Sequence, residues 1–221
     1  MDFKDSIQQL SERIAKQQDA IVTEEGTKNA FIMPMIAALG YDIFNPFEVV
    51  PELDCDLIKK KGEKIDYAIM KEENPILLIE CKHCKQDLNL HDTQLQKYFV
   101  ASKARFGVLT NGIEYRFYTD LEKDNIMDLE PFVEVNLENI NESGIKALMK
   151  FRKETFDKSN IYKAAEELNI VLLLKKFSKM SLILHQMNLS DLYLMTYILV
   201  RKTKIWLRNS NLWLGKHFQL L

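Results

Sequence analysis

Ile76-Leu77-Leu78-Ile79-Glu80-Cys81-Lys82 is an apolar run that ends in alternating charge. Four consecutive aliphatic residues, preceded by Glu73-Asn74-Pro75, read as a buried strand entered from a turn. A strand has a side-chain period of two, so Glu80 and Lys82 share one face and Cys81 takes the other. A carboxylate and an ammonium therefore leave the sheet side by side. Asp66 opens the preceding run, Lys64 to Met70, and a hairpin through Asn74-Pro75 brings it beside Glu80.

Working outward, Phe47 to Val50 and Leu57 to Lys59 read as further short strands, with a turn at Lys61-Gly62. Upstream, Ile7, Leu10, Ile14 and Ile21 recur at helical spacing from Phe3 onward. A second helix starts at Thr23, a good N-cap with Glu24 and Glu25 in its first turn, and stops at Gly40; Pro34 inside it predicts a kink. Downstream, His91 to Lys103 is helical through Leu95, Tyr98 and Phe99. Arg105 to Leu109 and Glu114 to Tyr118 are strands around Asn111-Gly112, a strong hairpin signal. A short strand near Val133 and helical patterns at Ile145 to Phe151 and Ile161 to Phe177 follow. The order of elements predicts an α/β domain with a central mixed sheet flanked by helices.

Two carboxylates held close repel unless a cation sits between them. Oxygen ligands with open water positions suit Mg²⁺, or Mn²⁺ in its place, with Asp66 and Glu80 as the metal residues. Lys82 is then placed to orient or deprotonate the attacking water and to offset charge on a phosphate, the apparatus of phosphodiester hydrolysis. On spacing alone, an ordinary surface salt bridge explains the same charges.

The combination is more specific than its parts. Asp66, then Glu80-Cys81-Lys82, then Gln94-Leu95-Gln96-Lys97-Tyr98, then Arg105-Phe106-Gly107-Val108-Leu109-Thr110-Asn111-Gly112 resembles the N-terminal nuclease domain of type I restriction enzyme R subunits, within the PD-(D/E)xK nuclease superfamily. The resemblance runs roughly from Thr23 to Thr119. It implies a restriction-endonuclease-like core and a metal-dependent endodeoxyribonuclease acting in restriction or phage defence. It implies Asp66 and Glu80 as metal ligands, Lys82 as the catalytic lysine, and Gln94 and Tyr98 as residues that support the site or contact DNA. An early-helix glutamate, matched best by Glu24 three residues before Thr27-Lys28, joins them; Glu25 is the alternative, and both also serve as first-turn acids complementing the helix dipole. The partners implied are DNA and methylase, specificity or motor subunits.

Other features limit the reading. The chain of 221 residues, 47% hydrophobic and 28% charged, has the composition of a folded protein. Neither a signal peptide nor a membrane span is visible, and with three cysteines the expectation is a reduced, cytoplasmic protein without membrane contact. The net charge of -2 conceals 24 bases against 31 acids in residues 1–177, a balance of -7 unlike that of a typical DNA binder. Locally the sign reverses, with Lys59, Lys60, Lys61 and Lys64 before the motif and Lys82, Lys85, Lys97, Lys103 and Arg105 after it. The acidic balance keeps a second reading open, a non-cleaving DNA- or protein-binding module or truncated remnant of a larger restriction protein. Cys81-Lys82-His83-Cys84 lacks the second ligand pair of a structural zinc site, and His91, His185 and His217 have no pattern around them. Tyr115, Phe117 and Tyr118 suggest a base platform or cross-strand packing. No Walker A loop, helicase motif or dinucleotide fingerprint occurs.

Three regions are expected: a nuclease-like domain over 1–156, a connecting helix over 157–177, and an atypical C-terminal tail over 178–221. That tail is read either as a helical, partner-binding segment or as the product of a frameshift, since Met180 onward, read one nucleotide earlier, permits an acidic Pro-rich stretch.

Overall fold

The structure is a computed structural model describing residues 2–54, 64–88, 93–102 and 104–170. The strand expected at Leu57 to Lys59, the Lys61-Gly62 turn, His91 and the tail over 178–221 lie outside the described residues.

Six strands form one sheet in sequence order: β1 (Val49–Leu53), β2 (Ile65–Lys71), β3 (Asn74–Cys81), β4 (Gly107–Thr110), β5 (Glu114–Tyr118) and β6 (Val133–Asn136). All neighbouring pairs are antiparallel except β3 and β4. A parallel pair needs a crossover, supplied here by helix α4 (Thr93–Ala101). The sheet is therefore mixed, as the alternation of patterns predicts.

Alternation along β3 sorts the core. Leu77, Ile79 and Cys81 join the larger apolar cluster, in which α1 (Phe3–Gln17) contributes Ile7, Leu10 and Ile14, and α5 (Glu142–Met149) contributes Leu148. Leu78 turns the other way, into a smaller cluster with Leu95, Tyr98 and Phe99 of α4. Helices thus cover both faces, and Glu80 follows Leu78 onto the α4 side. This is an α/β fold with a restriction-endonuclease-like core.

Thr23 caps α2 (Glu24–Thr27), its hydroxyl accepting from the Gly26 N–H at 2.9 Å. The helix continues through a π turn, Lys28–Ile32, into α3 (Met33–Ala38), and Gly40 at φ 92° closes it. Pro34 accounts for the π turn: it has no N–H to donate and its ring crowds the carbonyl four residues back. That carbonyl, on Ala30, accepts instead from Arg13 at 3.5 Å. Pro34 is thus absorbed one turn upstream, by a bulge over Lys28–Ile32.

Several boundaries differ from the sequence reading. Phe47 lies in a turn and is 88% exposed, and β1 instead runs through Pro51, which an edge strand tolerates because one side of its backbone has no strand partner. The β2–β3 turn centres on Glu72-Glu73, both at positive φ, rather than on Asn74-Pro75, which begin β3. In the β4–β5 hairpin the tip is Gly112-Ile113, because Asn111 stays paired with Glu114 and its side-chain carbonyl accepts from the Ile113 and Glu114 N–H groups. Tyr115, Phe117 and Tyr118 are buried, with Phe117 stacked on Phe151 at 4.3 Å, so they pack the core and offer no base platform.

Candidate active site

The β2–β3 register pairs Tyr67 with Ile79 and Ala68 with Leu78. One further step sets Asp66 opposite Glu80, but the backbone ladder ends before it. On β3 the N–H groups of Leu78 and Lys82 donate toward β4, to Phe106 O and Thr110 O, so that of Cys81 faces β2. Asp66 meets it there with its side chain, Oδ2 accepting from Cys81 N at 2.7 Å. A carboxylate closes the ladder where a carbonyl would otherwise stand, and its orientation is fixed by that bond.

The other oxygen, Oδ1, accepts from Lys28 Nζ at 2.5 Å, with both side chains 15% exposed. Lys28 also lies 3.5 Å from Glu24 and 3.9 Å from Glu25. Burial alone lowers the Lys28 pKa, but the hydrogen bond and charge of Asp66, with the further negative charge around it, reverse this and raise it above its ordinary value. The ammonium is accordingly charged at neutral pH. Glu80, 2% exposed, receives Lys82 Nζ on Oε1 at 2.7 Å.

Helix α2 is held against the site by two contacts. The buried Thr27 hydroxyl accepts from Cys84 N at 3.0 Å, tying the helix to the segment just after Lys82. On the other side, a Cβ at Gly112 would stand 2.9 Å from Phe31 Cβ and 3.1 Å from Thr27 Cγ2, so only glycine allows the hairpin tip to approach this closely. Gln94, on α4, donates to the Lys64 carbonyl, two residues before Asp66.

Lys28 thus links Asp66 to Glu24, while Glu80 and Lys82 form their own pair at the end of the neighbouring strand. Glu24 is the nearer and less exposed of the two early-helix acids, at 43% against 69% for Glu25. Tyr98 is fully buried in the α4 cluster, which leaves it a supporting place and no direct reach to DNA in this arrangement. Cys81 belongs to the opposite core, and burial, followed by the charge of Asp66, pushes its thiol well above the usual range. Of the basic residues flanking the motif, Lys59, Lys60, Lys61 and Lys103 lie outside the described residues. Lys64 pairs with Glu52 at 2.8 Å, and Arg105 reaches the fully buried Asp120 at 2.9 Å, so Arg105 braces the fold.

Lys28 and Thr27 are the residues that sequence reasoning passed over as anything beyond a motif pair. One signal for Lys28 was present: it follows Glu24 by four residues, the spacing of a helical ion pair. Its contact with Asp66 spans 38 positions, and no local pattern reports that.

The residues fit a small, hard cation. All donors are carboxylate oxygens, and Mg²⁺ characteristically takes one or two carboxylates and keeps water on its other positions. Among the described residues no group of three or more His, Cys, Asp or Glu side chains closes on a single point, so the site lacks an all-protein cage. The Lys28 ammonium balances the charge of Asp66 there.

Fold and site together define the class: a restriction-endonuclease-like α/β domain with an Asp and a Glu-x-Lys at the end of adjacent strands. The family model for the type I restriction enzyme R protein N terminus matches residues 44–126, bearing out the resemblance over the stretch that carries Asp66, Glu80, Lys82, Gln94 and Tyr98. The match begins after α3, so Glu24 and Lys28 enter the site on geometry. None of the curated proteins compared with the chain matches it. No solved structure matches it either.

Proposed function

We propose that the domain is a Mg²⁺-dependent endodeoxyribonuclease module of the type I restriction kind, working on DNA alongside methylase, specificity and motor subunits in defence. The observation that carries this reading is the fixing of Asp66 by the Cys81 N–H beside Glu80-Cys81-Lys82, within the stretch matched by the restriction family. A pure structural ion pair gives no reason to seat two acids at adjacent strand ends, one of them almost wholly buried.

Asp66 and Glu80 would hold Mg²⁺, with Mn²⁺ able to replace it. When bound, the cation supplies Lewis-acid stabilisation of charge developing on the scissile phosphate. Lys82, whose side chain is 25% exposed while Glu80 anchors it, is placed to orient the attacking water and to steady the phosphate. Glu24 completes the acidic rim, and Gln94 holds the start of β2, and with it Asp66, through the Lys64 carbonyl. Among the described residues no helix is long and apolar enough to cross a membrane.

The test is cleavage of supercoiled plasmid by the full chain with Mg²⁺ or Mn²⁺, against Lys82→Ala and an EDTA control. Nicking lost in both controls is the expected outcome. A folded chain that binds divalent cations at Asp66 yet never cuts would favour the second reading, a non-cleaving module or remnant, which the balance of -7 over residues 1–177 supports.

A further inference from the structure

Lys28 Nζ already holds one oxygen of Asp66, the carboxylate read as a metal ligand. Asp66 has one oxygen committed to Cys81 N, and the remaining one carries Lys28 Nζ at 2.5 Å. A divalent cation reaching Oδ1 of Asp66 would meet an ammonium already bonded to it, between side chains only 15% exposed. The displaced ammonium has somewhere to go, since Glu24 Oε1 lies 3.5 Å away and Glu25 Oε2 3.9 Å away on the same helical face. The π turn starting at Lys28, the Thr27–Cys84 bond and the Gly112 contact fix this helix next to Asp66, so the arrangement is built by the fold.

We propose that Lys28 is a placeholder cation: it neutralises Asp66 in the metal-free domain, competes with the divalent ion for that carboxylate, and shifts toward Glu24 when the ion binds. Lys28 is thus a positioning residue that sets metal affinity, and it keeps Asp66 aligned while the site is empty. The idea rests on the reading of Asp66 as a metal ligand, and the test separates the two.

The measurement is Mn²⁺ affinity by titration calorimetry on the full chain, comparing wild type with Lys28→Met, Lys28→Gln, Lys28→Arg and Asp66→Asn. Removing the competing charge should tighten binding in Lys28→Met and Lys28→Gln by about tenfold or more (~1.4 kcal/mol). Lys28→Arg keeps the charge and should stay within about twofold of wild type, which a purely structural role for the side chain would not require. Lys28→Gln retains a hydrogen-bond donor for Asp66 and serves alone if Lys28→Met fails to fold. Wild-type binding that is lost in Asp66→Asn but unchanged or weaker in the folded neutral variants overturns the placeholder and leaves the metal site standing. Absence of binding in wild type, or binding that survives Asp66→Asn, overturns both.

Discussion

Removing Asp66 should cost the metal-free fold several kilocalories, which is unusual for a candidate catalytic acid. Crowded acids commonly destabilise the protein that holds them, so their removal often raises stability. Here the local accounting runs the other way. Asp66→Ala strands the Cys81 N–H, which donates to the Asp66 carboxylate in place of a β2 carbonyl, and an unsatisfied buried donor costs about 1–3 kcal/mol. It also removes the closest partner of Lys28 in a pair whose members are both 15% exposed, and hydrogen bonds to charged groups contribute about 1.5–3 kcal/mol. Glu24 at 3.5 Å recovers part of the second term, which leaves a net loss of about 3–4 kcal/mol. The opposing term, relief of repulsion with Glu80, is small because Lys82 already sits 2.7 Å from that carboxylate. Asp66→Asn keeps a neutral acceptor for Cys81 and should lose only about 1–2 kcal/mol. Urea unfolding followed by circular dichroism, in EDTA so that no metal contributes, reads these values directly. Asp66→Ala at or above wild-type stability would refute the double anchoring of this carboxylate.

Two more perturbations probe the frame around the site. Gly112→Ala combines a left-handed backbone at φ 80° with a Cβ 2.9 Å from Phe31 Cβ, and should destabilise by about 2–5 kcal/mol; an unfolding midpoint within error of wild type would show that the hairpin tip yields freely. Burial, then the Asp66 charge, raises the Cys81 pKa in the folded state, so the stability tied to its neutral thiol is complete below the unfolded value and falls as pH rises above about 9. The loss in denaturation midpoint between pH 8 and pH 10 should shrink in Cys81→Ala, and an identical pH slope in that variant would remove the thiol from the account.

What was legible in the sequence follows from the range of the interactions involved. The period of two in Ile76–Lys82 set Glu80 and Lys82 on one face because that is a property of one strand, and β3 has that form. Thr23 as a cap, Gly40 as a stop and the buried stripe of α1 are equally local, and each stands in the structure. Turn registers were missed by one or two residues where side chains rather than backbone propensity decide them. Asn111 uses its side chain to cap Ile113 and Glu114, so it remains in the ladder and Gly112 moves to the first central position. Glu72 and Glu73 take positive φ without the residues that favour it, because the register through Lys71 and Asn74 leaves them the turn. The site was half legible: the strand-end acids and lysine came from period and spacing, whereas the Lys28 contact depends on a helix docked across 38 positions.

That division has a physical basis in how charge is distributed over the two halves. Among the described residues, the strand half pairs Lys82 with Glu80 at 2.7 Å. Among the described residues of its own segment, Asp66 is bonded to a backbone amide. A carboxylate that is only 15% exposed needs a counter-charge, and the helix half supplies it in Lys28. The helix in turn brings Glu24 and Glu25, so among the described residues the group holds four acids against two lysines. A divalent cation would correct that deficit in full, whereas the two ammoniums already present offset half of the four negative charges.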